Sequence, residues 1–384
     1  MRSGSWIKQL SGEAEYQAFV PNKLPYEGSL QIDDSTLDLL SKASILLGRL
    51  DGITELLPDP DFFVLMYIKK EATSSAQIEG TQATFADLLK HEAGVSDPAI
   101  PDDVKEIVNY VKAMNYGVHR LITPPLSLRL IREIHGMLLK DVRGQEKNPG
   151  EFRNSQNWVG GRTINLATYV PPPIHELTGL LDNFEEFLHQ KIKMPILIKV
   201  ALIHVQFELI HPFLDGNGRT GRLLIAFYLY HEKVLKRPLL YLSDYFRRYR
   251  QEYYDHLNAI SKRDEIEGWL KYFLDGVIDV SESAISLSQK IIELRKEDEK
   301  KIMTLGKAAK SGIKLFDYLY TNPIVTGNLT EKITGLSPSN ARNLINSFVK
   351  SAILKQTDKR QREKRYIYDR YMKLFSQEET KYAT

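Results

Sequence analysis

Apolar residues crowd two stretches in the middle of the chain. Residues Pro195 to Ile210 (PILIKVALIHVQFELI) are almost continuously apolar, with no internal Gly or Pro, and predict a buried helix. Arg219 to Val234 (RTGRLLIAFYLYHEKV) carries a large apolar face and predicts another. Upstream, Asp61 to Ile78 (DFFVLMYIKKEATSSAQI) reads as a helix with Asp61 near its start and Gly80 past its end. Ile266 to Leu305 reads as a long helix that turns charged (LRKEDEKK), as a connecting helix does. Residues 1–30 look like an extended arm, with Phe19-Val20-Pro21 and Leu24-Pro25. Pro58-Asp59-Pro60, Pro101-Asp102 and Pro124-Pro125 punctuate the helical pattern. The expectation is a mainly α fold.

From Ser311 to Phe375 the pattern changes. Ile313 to Tyr320 and Leu329 to Ile333 predict two helices, and Ser337-Pro338-Ser339-Asn340 caps a third over Ala341 to Ser351. Ile353-Leu354-Lys355 and Tyr366-Ile367-Tyr368 look like strands around a basic tip. Three helices and a basic hairpin resemble a winged helix-turn-helix, whose third helix can enter a major groove. Lys359, Arg360, Arg362, Lys364 and Arg365 suit the wing. DNA is therefore an expected partner through residues 337–370, against a winged helix used only for protein contacts.

Composition narrows the classes. With 384 residues, two or three domains and a sizeable core are expected. A 42% hydrophobic and 26% charged share is ordinary for a globular protein. A net charge of +3 does not by itself argue for nucleic acid. The absence of cysteine excludes disulfides and thiolate zinc sites. His175-Glu176 and His231-Glu232 lack the second His of a zinc helix. No uncharged apolar run is long enough to span a bilayer, and Met1 to Lys8 lacks an apolar signal core, so a cytoplasmic, non-membrane protein is expected.

The candidate chemistry lies between the two apolar helices, in His211-Pro212-Phe213-Leu214-Asp215-Gly216-Asn217-Gly218-Arg219-Thr220-Gly221-Arg222. Pro212 ends the first helix, so His211 sits at its exit. Gly216-Asn217-Gly218 can turn sharply. A Gly-rich turn feeding a helix N-terminus presents free N–H groups and the positive dipole end to phosphate. Arg219 and Arg222 are three apart, and planar guanidiniums suit phosphate oxygens. Asp215 offers the single carboxylate that magnesium takes alongside substrate phosphates. Each feature alone is usually a cap or a turn; their conjunction in twelve residues points to polyphosphate chemistry.

That run resembles, position by position, the HxFx(D/E)GNGRxxR signature of the Fic (Fic/Doc) family, over roughly residues 30–260. The resemblance implies a Fic-type helical core with a small β-hairpin flap and protein adenylyltransferase activity. AMP would pass from ATP to a Ser, Thr or Tyr hydroxyl of a target protein, or of the chain itself. His211 would be the general base, Asp215 the Mg2+ ligand, and Gly216, Asn217 and Gly218 the anion hole. Arg219 and Arg222 would hold the outer phosphates, with Thr220 and Gly221 in the same nucleotide-binding run. Phe213 would anchor the loop. The kinase-like relative Doc has lysine at the Gly218 position, so the intact GNGR favours nucleotidyl transfer.

Ser75-Ala76-Gln77-Ile78-Glu79-Gly80 resembles the (S/T)xxxE(G/N) inhibitory motif of a Fic subclass. Ser75 and Glu79 share a helix face. On that resemblance Glu79 pairs with Arg222 in the γ-phosphate space, and could also support removal of AMP. Asn148-Pro149-Gly150-Glu151-Phe152-Arg153, Asn157 to Asn165 and Tyr169-Val170-Pro171-Pro172-Pro173 suggest a hairpin or flap around Gly160-Gly161. It is similar to the family's target-docking flap, with Gly161, Arg162, Thr163, Ile164 and Asn165 as docking residues. Tyr254 matches a position bordering the adenine, and an Asn of some relatives falls near Ser261. Related proteins often form homodimers.

Four segments are expected: 1–110, an arm and helical region with the inhibitory helix; 111–265, the catalytic core; 266–310, a connecting helix; and 311–384, the winged helix. Two functions compete: an autoinhibited adenylyltransferase, and a DNA-binding regulator whose Fic core senses nucleotide.

Overall fold

The computed structural model describes residues 1–12, 15–26, 30–92, 99–123, 125–357 and 364–380, the last five through the backbone alone. Wing residues Lys359, Arg360 and Arg362 lie outside the described residues. The chain forms two compact units: Met1–Gly48 with Tyr67–Ser281, and Arg49–Met66 with Glu282–Thr384.

The first unit opens with an antiparallel pair, β1 (Gly4–Gln9) and β2 (Tyr16–Pro21), in register from Gly4↔Pro21 to Gln9↔Tyr16. The expected extended arm is thus a hairpin. It is pinned by Asp264, which accepts from Arg2 N (3.1 Å) and Ser3 N (2.7 Å). Next come α1 (Asp34–Thr54), α2 (Pro60–Ile78), α3 (Phe85–Glu92), α4 (Val104–Arg120) and α5 (Leu128–Leu138). They are followed by α6 (Ile174–His189), α7 (Ile196–Ile210), α8 (Asn217–His231), α9 (Ser243–Arg248), α10 (Arg250–Arg263) and α11 (Ile266–Met303). α1, α2 and α11 each contribute residues to both units.

α7 is apolar on every side, which places it in the interior rather than on the surface. Val200, Ile203, Phe207 and Ile210 are fully buried. α6, α8 and α10 pack around α7, and α4 and α5 pack on each other and on α8. The Trp269 indole donates to Ala201 O at 2.9 Å, satisfying a buried donor.

The second unit continues with α12 (Ala309–Thr321), β3 (Ile324–Thr326), α13 (Gly327–Thr334), α14 (Pro338–Lys350), β4 (Lys355–Gln356), β5 (Arg365–Ile367) and α15 (Asp369–Thr380). Its sheet has the order β3-β5-β4. The expected strand at Ile353-Leu354 is absent: both amides donate to Phe348 O (2.9 and 3.2 Å) and close the end of α14, so the ladder begins only at Lys355. Phe316, Tyr320, Tyr368, Tyr371 and Phe375 make the core of this unit. Buried Asp298 accepts from Tyr368 OH (2.7 Å) and pairs with Arg370 (2.8 Å).

Candidate active site

His211 caps α7 in a left-handed conformation (φ 49°), uncommon for a residue with a side chain. Its Nδ1 lies 3.3 Å from Glu208 O. A carbonyl can only accept, so Nδ1 carries the hydrogen and Nε2 remains the acceptor. Burial pushes this imidazole down to about 4; the Glu208 carbonyl opposes the shift and the Arg153 guanidinium adds to it. His211 is therefore neutral at neutral pH.

Gly216 alone of the Gly-Asn-Gly triplet uses a positive φ (76°), as the N-cap of α8. The helix thus begins at Asn217, two residues earlier than the pattern suggests. Gly218 lies inside it, and what it supplies is space: a Cβ there would collide with Glu79 Oε1 and come within 2.9 Å of Arg222 Nη1. The Asn217 amide is committed to the loop, accepting from Phe213 N and donating to Phe213 O, both at 2.8 Å. Asp215 Oδ1 accepts from Gly216 N at 2.6 Å, and its side chain is 39% exposed.

His211, Asp215, Gly216, Asn217, Gly218, Glu208 and Arg222 line one cavity of about 560 Å³. Glu79 of the α2 end stands at its wall, Trp158, Val159, Gly160, Thr168 and Tyr169 form another side, and α10 supplies Gln251, Tyr253, Tyr254, Leu257 and Asn258. Burial pushes Glu208 up to about 7, with nearby Arg222 opposing and Glu79 reinforcing the shift.

Arg222 is held entirely by the last turns of α2. Its Nε donates to Ser75 Oγ (2.9 Å), and Nη2 donates to Ser75 O (3.0 Å) and Glu79 Oε1 (2.8 Å). Burial alone would raise Glu79, but Arg222, then Arg219 and His211, hold it below its ordinary value. Gly80 ends α2 at φ 96° and does not line the cavity.

Arg219 departs from expectation. It is buried, with Nη1 3.2 Å from Glu106 Oε2 and Nη2 3.8 Å from Asp215 Oδ1, and it does not line the cavity. A spacing of three puts the two arginines on neighbouring faces of α8, but α4 stands against one and α2 against the other. Thr220 and Gly221 also lie outside the cavity. Thr220 Oγ1 donates to Gly216 O (2.9 Å), and Gly221 O accepts from His204 Nδ1 (2.9 Å).

The flap is not a laddered hairpin. One isolated bridge joins Val159 and Tyr169, and a single helical turn spans Ile164–Leu166. The expected docking residues Gly161, Arg162, Thr163, Ile164 and Asn165 sit in the excursion beyond the bridge, away from the cavity. Phe19 N donates to Val170 O at 2.9 Å, so the N-terminal hairpin braces the flap. Ser261 is buried and does not reach the cavity; by that turn α10 is covered by β1, where Trp6 Nε1 donates to Ser261 O at 2.9 Å. Asn258, one turn beyond Tyr254, does line it.

Residues 37–119 match the model described as Fic/DOC family N-terminal, and residues 125–229 match that of the Fic/DOC family. The chain belongs to the Fic/DOC family. It is 32% identical over 221 residues to the Protein adenylyltransferase Fic of Aedes aegypti, and 30% identical over 220 residues to that of Culex quinquefasciatus. Each match takes in 56% of this chain but only 40% of the curated relative. A crystal structure of a Fic family protein from Desulfovibrio desulfuricans G20 shares the fold, with a TM-score of 0.61 at 19% identity, covering 89% of this chain and 98% of that one.

Two buried residues that position the Fic loop gave no distinct signal in the sequence. His135 of α5 stacks on Phe213 (3.7 Å, 3°). Its Nδ1 accepts from Gly150 N and its Nε2 donates to Asp215 O, both at 2.8 Å. That bridge requires a neutral ring, and burial pushes it down to about 4. Arg153 donates through Nε to His211 O (3.0 Å) and through Nη2 to Pro172 O (2.5 Å), while its own N–H donates to Pro212 O (2.9 Å). A His on the apolar face of an amphipathic helix looks like core, and the Arg was visible only as part of an NPGEFR string. No helix among the described residues is long and apolar enough to cross a membrane.

Proposed function

We propose that this chain transfers AMP from ATP to a Ser, Thr or Tyr hydroxyl of a target protein, and that Glu79 holds the activity in check. The observation that carries the reading is the convergence of His211, Asp215, the start of α8 and Arg222 on one cavity, with a carboxylate already on the arginine. The chain covers only part of its adenylyltransferase relatives, so activity and substrate rest on this geometry and on likeness together.

The chemistry follows from the residues. With the α-phosphate at the Gly216–Gly218 turn, α8 meets it with N–H groups and a positive dipole end. The target hydroxyl gives its proton to His211 Nε2, its oxygen bonds the α-phosphorus, the bond to the bridging oxygen breaks, and pyrophosphate leaves toward Arg222. Among the described residues no cluster of three His, Asp or Glu could hold a metal alone. Asp215 fits Mg2+ as one carboxylate that relies on phosphate oxygens for the remaining ligands, and the ion would supply charge neutralisation. Tyr254 and Asn258 border the space for the base.

Glu79 restrains this in two ways: it occupies the space over Gly218, and it neutralises the guanidinium that would meet phosphate. Incubation with Mg2+ and ATP labelled at the α-phosphate tests the reading. Label should appear on the Glu79→Gly variant itself or on proteins of an extract, and vanish when His211→Ala is added. Transfer from the γ-position, or transfer that survives His211→Ala, overturns it.

A further inference from the structure

The second unit carries a surface that the nucleotide cavity does not use. α14 buries Ala341, Leu344, Ile345 and Phe348 at helical spacing. Its opposite face exposes Asn340, Arg342, Asn343, Asn346 and Lys350. None of these side chains makes a hydrogen bond or ion pair with a described residue, and α14 contains no Asp or Glu. The helix follows α13 through a turn closed by Gly335 at φ 72°, and the two helices pack together. Beyond α14, exposed Lys355, Lys364 and Arg365 flank the β4–β5 connection, likewise without an anionic partner among the described residues.

The contrast within the same unit is sharp. Arg295 pairs with Glu299 and Asp317, Lys301 with Glu297 and Asp298, and Arg370 with Glu297 and Asp298. Those three cations of α11 and α15 are neutralised by their own fold, whereas Arg342 and Lys350 of α14 and the cations of the strand pair have no such partner among the described residues. Uncompensated charge draws a polyanion. The amides add information that charge alone lacks: an exposed helix bearing Asn and Arg matches the donor–acceptor edges of a B-form major groove, which admits an α-helix. The deep, narrow major groove of A-form RNA does not.

We propose that α14 reads double-stranded DNA in the major groove, with Arg342, Asn343 and Asn346 toward base edges and Lys350, Lys355, Lys364 and Arg365 toward phosphate. The order α12–β3–α13–α14–β4–β5 is that of a winged helix, in which this helix is the reading element. The inference is independent of the nucleotide cavity.

The full chain is titrated with a fluorescent DNA duplex of random sequence, and preferred sites are then selected from a random duplex library. The expected result is binding that weakens steeply with salt, with a log–log slope of about −3 to −5 for the phosphate contacts named, and a recovered site. Lys350→Ala should flatten that slope by about one. Asn343→Ala with Asn346→Ala, which removes no charge, should cost about tenfold or more on the selected site while leaving the random duplex bound. No binding at low salt, equal binding to an RNA duplex of the same sequence, or loss of random and selected duplexes alike in the amide variant overturns the proposal.

Discussion

Arg219 Nη1 lies 3.2 Å from Glu106 Oε2 with both side chains almost wholly buried. The same Glu106 oxygen accepts from Thr81 Oγ1 at 3.0 Å. The segment that ends α2 thus engages both arginines of the motif, Arg222 directly through Ser75 and Glu79, and Arg219 through Thr81 and Glu106.

Glu106→Ala leaves the buried Arg219 guanidinium with only its longer contact to Asp215, at 3.8 Å. Removing one member of a buried pair costs about 3–5 kcal/mol. Denaturant unfolding should show that loss as a lowered midpoint, and a midpoint unchanged from the parent would contradict it.

Arg153 holds His211 in position through its carbonyl and adds to the downward shift of its imidazole. Arg153→Gln in the Glu79→Gly background should lower kcat by about 100-fold through misplacement of the base. The Kd for ATP should stay within about threefold, since Arg153 does not line the cavity. Calorimetry and single-turnover transfer separate the two.

Asn258 shares a face of α10 with Tyr254, and both line the cavity where we propose that the base sits. Asn258→Ala should weaken ATP binding about tenfold, the scale of one hydrogen bond, with kcat held. Competition by GTP against ATP shows whether the amide also sets base preference.

Buried titratable groups oppose one another in their effect on stability. His135 and His204 are pushed down to about 4 and about 3 by burial, so the folded state resists their protonation. Their contribution is complete above the ordinary imidazole pKa and is lost as pH falls below about 6.5. Glu71 is pushed up to about 7 by burial, against the Ser243 and Tyr110 hydroxyls that donate to it, and Glu208 to about 7 as well. For these the folded state prefers the proton, so stability declines as pH rises from about 4.5 toward 7. Glu71→Gln removes one opposing group, and urea midpoints between pH 4.5 and 7 should then climb more steeply with pH than in the parent.

That His211, Asp215 and the Gly216–Gly218 turn lie together was legible in the chain because they are contiguous: His211 to Gly218 need only a helix exit and a helix entry to be brought together, and both are local signals. The helices that carry them were legible for the same reason, since α7 and α2 announce themselves by apolar spacing and punctuation. Whether Arg219 faces phosphate or Glu106 was a different kind of question. It depends on which helix stands against each side of α8, and so on packing between residues more than a hundred positions apart. The neutral bridge of His135, the carbonyl clamp of Arg153 and the choice of Asn258 over Ser261 belong to that class too. Each is decided by burial and by a long-range hydrogen bond, quantities that exist only once the chain has closed on itself.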